Sequence, residues 1–450
     1  MAATTTHELT RARTAAPPVV LARLALWSAV ATNLVIVEAL FFAYGQGKNP
    51  LLSVGKFFGL HAALIMMLQL VLVARLPWLD RRIGMDRLTS WHRWNGFLLL
   101  WTVVMHSSFI VLGYAELGNT SGLQTFVSLA GVPASLLGIC AGGLIVAIGA
   151  TSARYIRRRL QYETWHAIHL GLYLAVGLGL FHQLLEGTTF AASPLAKTYW
   201  WTLWALVAAA LIGGRVVLPL WRNRYHQFRV AAVVPESHDV VSVHITGRHL
   251  DRLPAQAGQF FIWRFLGHGR WWQANPFSLS AAPNGRSLRL TAKAVGSASA
   301  GLRDVPVGTR VFAEGPYGAF TAMHRTKDAT LLIAGGVGVT PIRAMLEEAE
   351  GSVIVLYRVR TMAEAVLLPE LEGLARSRGA HLHVLTGRTG AGTPPNSPFD
   401  PQHLIRLVPD IADRDIFVCG PPAMTSAVLR SVRALNVPQI QVHAEKFSLA

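Results

Sequence analysis

Apolar residues divide the chain into two regions with different periodicity. From Val19 to about Trp221 they form long blocks with few interruptions, whereas from Arg222 onward short apolar runs alternate with polar, helix-like stretches. Crossing a hydrocarbon core of about 30 Å takes about 20 helical residues. Six blocks are that long, at roughly 20–44, 52–75, 94–114, 131–151, 166–186 and 198–220, and they predict six membrane helices. The later region predicts the alternating strands and helices of a water-facing α/β protein, with the boundary between Trp221 and Gln227.

Composition agrees with that division, since 52% of the 450 residues are hydrophobic and only 14% are charged. The net charge of +17 sits mainly in the connections between apolar blocks rather than in a patch interleaved with aromatics. That distribution argues against nucleic acid and for membrane topology. Arg75, Arg81, Arg82, Arg87 and Arg93 follow the second block, and Arg154, Arg157, Arg158 and Arg159 follow the fourth. The other connections hold little more than Lys48 and Lys197. By the positive-inside rule the basic loops, both termini and everything after Trp221 are cytoplasmic, in a plasma-membrane protein of six spans. Residues 1–18, polar and without a signal-peptide cleavage pattern, read as a disordered cytoplasmic tail. Cys140 and Cys419 are too few for a disulfide scaffold or a cysteine-held iron–sulfur cluster, and Cys140 reads as small core packing in an apolar helix.

Histidines at membrane depth are costly and concentrate function. His92 and His106 stand 14 residues apart on the third span, His169 and His182 13 apart on the fifth. At about 1.5 Å per residue each pair covers roughly 20 Å, which suits two haems stacked across the bilayer. Both spans run outward from the cytoplasm, so His92 pairs with His169 at the inner level and His106 with His182 at the outer. Two imidazoles per iron leave no open position, which favours electron transfer over binding substrate at the metal. The facing is uneven. At about 100° per residue, 14 residues return to within roughly 40° of the starting face, but 13 miss by about 140°. The fifth span therefore needs a π-bulge, a kink or an offset haem, and Gly171, Gly177 and Gly179 offer places for one. His166 and His61 are rival ligands.

The six spans, this histidine spacing and the run Trp165-His166-Ala167-Ile168-His169-Leu170 resemble the ferric reductase and NADPH oxidase superfamily. The resemblance covers the whole chain. It implies bis-histidine b-type haems at His92, His106, His169 and His182. It also implies a multi-domain fold: a six-helix transmembrane haem bundle over 19–221, an antiparallel β-barrel FAD domain over 222–325, and an α/β parallel-sheet nucleotide-binding domain over 326–450.

The residues of the later region carry their own signals. Between His226 and Phe320, strand-like runs broken by Gly and Pro predict a small antiparallel barrel. Within it, Asn275-Pro276-Phe277-Ser278 sets an aromatic and then a hydroxyl on a strand, where they can meet an isoalloxazine ring and its reactive nitrogen. The run resembles the flavin-binding motif of ferredoxin-NADP reductase-like domains, with Asn275 where many relatives carry Arg or His, and Ser278 is a catalytic candidate. Lys293, Gly296, Ser297 and Ser299, at a helix start, suit a pyrophosphate.

Further on, the strand Leu331 to Ala334 runs into Gly335-Gly336-Val337-Gly338-Val339-Thr340-Pro341 and a helix, and a second strand runs into Cys419-Gly420-Pro421. Glycines let backbone approach a pyrophosphate at a helix N-terminus, and ligands of open parallel sheets bind at such strand ends. The two runs resemble the nucleotide motifs of the same reductases. That resemblance implies that Gly336, Gly338, Thr340 and Pro341 hold the dinucleotide, that Cys419, Gly420 and Pro421 lie near the nicotinamide, and that Phe447 covers the flavin. Cys419 as a nucleophile lacks a base placed beside it. Arg358 ends the next strand, where a guanidinium can meet a 2′-phosphate and favour NADPH over NADH.

Taken together, these readings predict electron flow from NAD(P)H through FAD and two haems to a small-molecule acceptor at the outer face, a ferric chelate or dioxygen. No obligatory protein partner is evident. The alternative is a membrane electron-transfer subunit serving a partner redox protein or quinone.

Overall fold

The structure, a computed structural model, describes residues 18–267, 273–390 and 397–445. The tail before Pro18 and Phe447 lie outside the described residues, and so do the side chains of Ser297 and Ala298. Six helices are long and apolar enough to cross a membrane: Val19–Gly45, Pro50–Val73, Met85–Gly118, Pro133–Thr151, Glu163–Glu186 and Pro194–His226. Local signals set several of their starts. Asn49 caps the second span by accepting from the Leu52 N–H at 2.8 Å, and Ser193 caps the sixth by accepting from the Ala196 N–H at 3.1 Å, each ahead of a proline at the first helical position. The third helix begins at Met85, well before its apolar block, because polar turns continue it into the connection.

The second span packs along the third and the fourth along the fifth. Small residues allow that approach: a Cβ on Gly55 would lie 2.9 Å from the Ile110 nitrogen, and one on Gly113 would lie 2.6 Å from Leu52 Cγ. Met66, Met67, Trp200 and Trp204 fill the middle of the bundle, with Phe190 stacked on Trp200 at 3.7 Å between ring centroids. Trp94, Leu174, Phe181 and Leu206 are exposed on its outside, as apolar side chains in contact with lipid are. Cys140, expected in the core, is exposed as well. Around a bundle in lipid both faces of a helix are apolar, so apolar neighbours do not mark the inside.

The fifth span is interrupted once. Tyr162–Leu170 and Leu172–Glu186 meet at Gly171, where the Gly171 N–H donates to Ile168 O and the Leu174 N–H donates to Gly171 O, both bonds reaching back three residues. This tightened turn alters the facing of one segment against the other. It falls at one of the glycines where an irregularity was expected, and it closes only part of the roughly 140° miss of the 13-residue pair.

Beyond the sixth span, β1 (Arg229–Pro235), β2 (Val240–Thr246) and β5 (Ser287–Lys293) form one antiparallel sheet in the order β1-β2-β5. A second, in the order β4-β3-β6, is made by β3 (Phe260–Phe265), β4 (Asn275–Ser278) and β6 (Val311–Tyr317). Bridges at Arg229–Arg310 and Leu279–Leu290 join the sheets at both seams around one core that includes Val243, Ile245, Phe261, Trp263 and Leu290. The barrel expectation is met in part, by two three-stranded antiparallel sheets joined through isolated bridges. The last region is a five-stranded parallel sheet, ordered β11-β10-β7-β8-β9, from β7 (Ala329–Gly335), β8 (Val353–Arg358), β9 (His381–Leu385), β10 (Arg414–Cys419) and β11 (Val442–Glu445). Along β7, Leu332 and Ala334 enter one core and Leu331 and Ile333 the other, which is why this strand reads as an unbroken apolar run.

Candidate functional site

The histidines on the third and fifth spans meet in two couples. His92 and His169 have ring centroids 6.1 Å apart, and His106 and His182 have centroids 6.4 Å apart. A metal–imidazole bond of about 2 Å on each side of one ion gives a centroid separation of roughly 6 Å. The other ring nitrogens are already engaged. His106 Nδ1 donates to Gly55 O and His182 Nδ1 donates to Ala134 O, each at 2.8 Å, while His92 Nδ1 faces Gln69 O at 3.3 Å and His169 Nδ1 faces Ser152 Oγ at 3.4 Å. Carbonyl partners fix the tautomer that leaves Nε2 with its lone pair, the arrangement of a metal-ligating histidine. Among the described residues no three His, Cys, Asp or Glu side chains converge on one point. Each couple could therefore supply two imidazoles to one iron, and a porphyrin would bring the other donors. The residues present fit haem.

Glycines clear space for the second couple. A Cβ on Gly59 would sit 2.6 Å from His106 Nδ1, and one on Gly138 would sit 2.8 Å from His182 Nδ1. The first couple opens on a cleft of about 690 Å³ lined by Met66, Gln69, Leu70, His92, His169 and Arg215. Trp165 stacks on His169 at 5.0 Å and donates from Nε1 to Ser152 at 3.3 Å. The rivals behave differently. His166 lines the same cleft without facing His92 as His169 does. His61 has both nitrogens occupied, Nδ1 with Phe57 O at 2.8 Å and Nε2 with Glu38 at 3.2 Å.

In the flavin-motif strand, Pro276 and Phe277 are half-buried, Ser278 is buried, and Trp263 Nε1 donates to Phe277 O at 3.2 Å. Among the described residues, the Asn275 amide reaches Gln273 O, at 3.4 Å. Lys293 is ion-paired with Asp239 at 3.1 Å rather than held in reserve. Gly296 precedes the single helical turn Ser297–Ala300, whose Ser299 hydroxyl accepts the N–H groups of Val295 and Gly296 at 3.0 and 3.1 Å.

The two nucleotide motifs, distant in sequence, are in contact. β7 and β10 are neighbours with Ala334 opposite Cys419, and a Cβ on Gly338 would collide with the carbonyl of Cys419. Gly336 adopts φ +53°, in the left-handed region that glycine tolerates. Thr340 Oγ1 donates to Val337 O at 3.1 Å and, like Pro341, is buried at the start of helix Val339–Glu348. Gly420 and Pro421 open helix Pro422–Ala434. Arg358 gives its guanidinium to Leu385 O and Gly387 O, and so holds the loop after β9.

Cys419 is fully buried, which pushes its thiol well above the ordinary range, with Glu445 and Asp86 adding to the rise. A thiol held protonated is no nucleophile. Opposite it in the parallel register stands Glu445, whose carboxyl is itself pushed up by burial and by Asp86 and Asp80. No sequence motif marked Glu445.

Residues 58–180 match the family model described as ferric reductase like transmembrane component, and residues 332–430 match that of the oxidoreductase NAD-binding domain. The glycine betaine monooxygenase reductase subunit of Chromohalobacter salexigens is 26% identical over 246 residues, covering 52% of this chain and 67% of its own length. The flavohemoprotein of Xylella fastidiosa is 25% identical over 313 residues, covering 66% and 79%. The solved FAD/NAD-binding domain of nitric oxide dioxygenase from Vibrio cholerae is similar at 26% identity and a TM-score of 0.39, over 49% of this chain and 97% of that one.

The chain has the fused architecture of the ferric reductase and NADPH oxidase superfamily. As such it is an integral membrane oxidoreductase of electron transport, with a half that binds FAD and a nicotinamide nucleotide. What joins the two halves in this ferric reductase-like chain was not visible in its sequence motifs. Glu314 on β6 is ion-paired with Arg264 on β3 and with Arg75 at the end of the second span. Buried Asp80, in the short helix Pro77–Ile83, accepts from the Gly318 N–H at 2.9 Å. Its carboxyl is pushed up to about 6 by burial, against the pull of that N–H and of Arg75 and Arg81. Asn223, at the end of the sixth span, both donates to Ala313 O and accepts from the Ala313 N–H at 2.8 Å, as a neighbouring strand would. His324 Nε2 faces Arg81 O at 3.0 Å.

Proposed function

We propose that this chain is a transmembrane NAD(P)H oxidoreductase that moves electrons from a nicotinamide nucleotide on the cytoplasmic side to a small-molecule acceptor at the outer face, either a ferric chelate or dioxygen. The observation that carries the reading is the pair of histidine couples at two levels, each with its second ring nitrogen engaged. When bound, FAD converts the hydride pair of the nucleotide into single electrons, and two bis-histidine b-type haems carry these across the bilayer.

The residues take the following parts. His92 and His169 hold the inner iron, and His106 and His182 the outer. Gly336, Gly338 and Thr340 let backbone meet the pyrophosphate, with Pro341 starting the helix that faces it. Cys419, Gly420 and Pro421 form the floor of the nicotinamide site, and the buried thiol packs there without reacting. Pro276, Phe277 and Ser278 line the flavin ring, with Asn275 beside it. Lys293, Gly296, Ser297 and Ser299 are assigned to the flavin pyrophosphate, and Phe447 to covering the ring. Arg358 shapes the loop that meets the adenosine end and favours NADPH. The basic connections set the topology, with both termini cytoplasmic in the plasma membrane and domain boundaries near 221 and 325.

The test is an absorption spectrum of the purified protein under argon, reduced separately with NADPH and NADH. Two b-type haem signals reduced by nucleotide are expected, and an absent haem band overturns the reading. A subunit fed by quinol or a partner protein would instead leave the haems oxidised until that partner is added. Superoxide and ferrous iron assays in air and under argon then identify the acceptor.

A further inference from the structure

Arg215 is a cation at membrane depth that nothing so far explains. It stands on the sixth span in a π-helical turn, Gly213–Val217, between the α-helical stretches Pro194–Ile212 and Leu218–His226. Such single turns re-aim the helix and cluster at functional sites. The turn is clamped by Gly214, since a Cβ there would collide with the carbonyl oxygen of Ala74 at the end of the second span. The outcome is that Arg215 lines the cleft shared by His92, His166, His169 and Tyr173. Its Nε is buried and has no hydrogen-bond partner among the described residues.

Charge around the cleft is unbalanced. Glu314 is near enough to interact with Arg215, but it is already paired with Arg75 and Arg264. Arg75, Arg264 and Arg215 therefore all draw on Glu314, and the nearby Asp80 carboxyl interacts with Arg75. A fixed cation in a low-dielectric site is stable only with an anion beside it, and the guanidinium fork matches a carboxylate in particular.

We propose that Arg215 binds a carboxylate inside this cleft, a propionate of the haem assigned above to His92 and His169, and that the π-turn aims it there. The inference rests on the haem reading of those histidines. A positive charge beside the propionate favours the reduced haem, because reduction adds negative charge nearby.

The test is a redox titration of haem absorption, with haem content per chain, in the full-length wild type, R215Q and R215K. In R215Q the inner haem is expected to titrate at lower potential or to be lost, with the outer haem unchanged and R215K intermediate. Wild-type apoprotein refilled with haem dimethyl ester, whose propionates are uncharged, should retain the inner haem less tightly than with haem, and the ester should weaken retention in R215Q no further. A wild-type titration in R215Q overturns the proposal. So does a wild type that retains the ester as tightly as haem, which would assign the anion to a lipid phosphate. Two haems with an indifferent Arg215 refute this inference alone, whereas a wild type without haem refutes the functional reading beneath it.

Discussion

Asp80 gives the sharpest quantitative test of how the membrane and flavin halves are joined. Its carboxyl is 2% exposed and accepts one hydrogen bond, from the Gly318 N–H at 2.9 Å. Burial pushes it from 3.8 up to about 6, although Gly318, Arg75 and Arg81 pull the other way. At about 1.4 kcal/mol per pH unit, that rise means that ionised Asp80 costs the folded state about 3 kcal/mol relative to the protonated acid. The sign follows from linkage. Between pH 4 and pH 6 the unfolded chain has released this proton and the folded chain still holds it, so stability falls as pH rises through that window and levels off above it. Asp80→Asn keeps an oxygen to accept from Gly318 and removes the charge. The variant is expected to lose this pH dependence and, above pH 7, to exceed the wild type by up to about 3 kcal/mol. Tryptophan fluorescence melts in detergent from pH 4.5 to 8 would measure it. Parallel pH profiles for the two proteins, or an Asp80→Asn protein that melts lower at pH 8, would refute the argument.

Gly59→Ala places a methyl 2.6 Å from the His106 ring, and Gly138→Ala one 2.8 Å from that of His182. Each is expected to reduce the outer haem signal while the inner one persists, as read by absorption. Glu370 accepts from Arg289 at 2.8 and 2.9 Å and is ion-paired with Arg343 at 2.8 Å, joining β5 to the parallel-sheet region. Burial would raise its carboxyl, but the hydrogen bonds and charges of the two arginines hold it low. Glu370→Gln should lower stability by about 1–2 kcal/mol after solvent screening, seen as a shifted denaturation midpoint near neutral pH that closes as pH falls through the carboxylate range. Cys419, buried and protonated, should resist maleimide in the folded protein and label in denaturant, measured by mass spectrometry.

The membrane half was legible because its signals are local. Length and apolarity mark a span by themselves, and a histidine among apolar residues is conspicuous. The misfit of the 13-residue pair was also legible, and it pointed to glycine on the fifth span, where the helix breaks at Gly171. Gly59 and Gly138 escaped notice although they lie in apolar helices, since their task depends on which neighbour each helix faces. The motif glycines at 336 and 338 could be recognised from their strand-turn-helix setting. Arg358 and Lys293 could not be placed the same way, for a long cation finds a partner within its reach: Arg358 found carbonyls of the loop after β9, and Lys293 found Asp239.

The contacts that were illegible belong to one physical problem. Electron transfer between a flavin half and a membrane half needs a fixed separation, yet the connection at the end of the sixth span is a single chain segment. The structure fixes the halves with bonds aimed at backbone. Asp80 takes the Gly318 N–H, Asn223 pairs both ways with Ala313, Arg222 donates to Gly315 O, and His324 meets Arg81 O. Three of these four engage residues 313–318, on or just beyond β6, and Glu314 in the same stretch binds Arg75. β6 pairs with β3, which pairs in turn with the flavin-motif strand β4, so a force on the membrane face reaches Pro276 and Phe277 through two ladders of hydrogen bonds. Backbone-directed contacts define position more sharply than apolar packing, which has no direction. Residues 239 positions apart, such as Arg75 and Glu314, leave no periodicity for a single sequence to display.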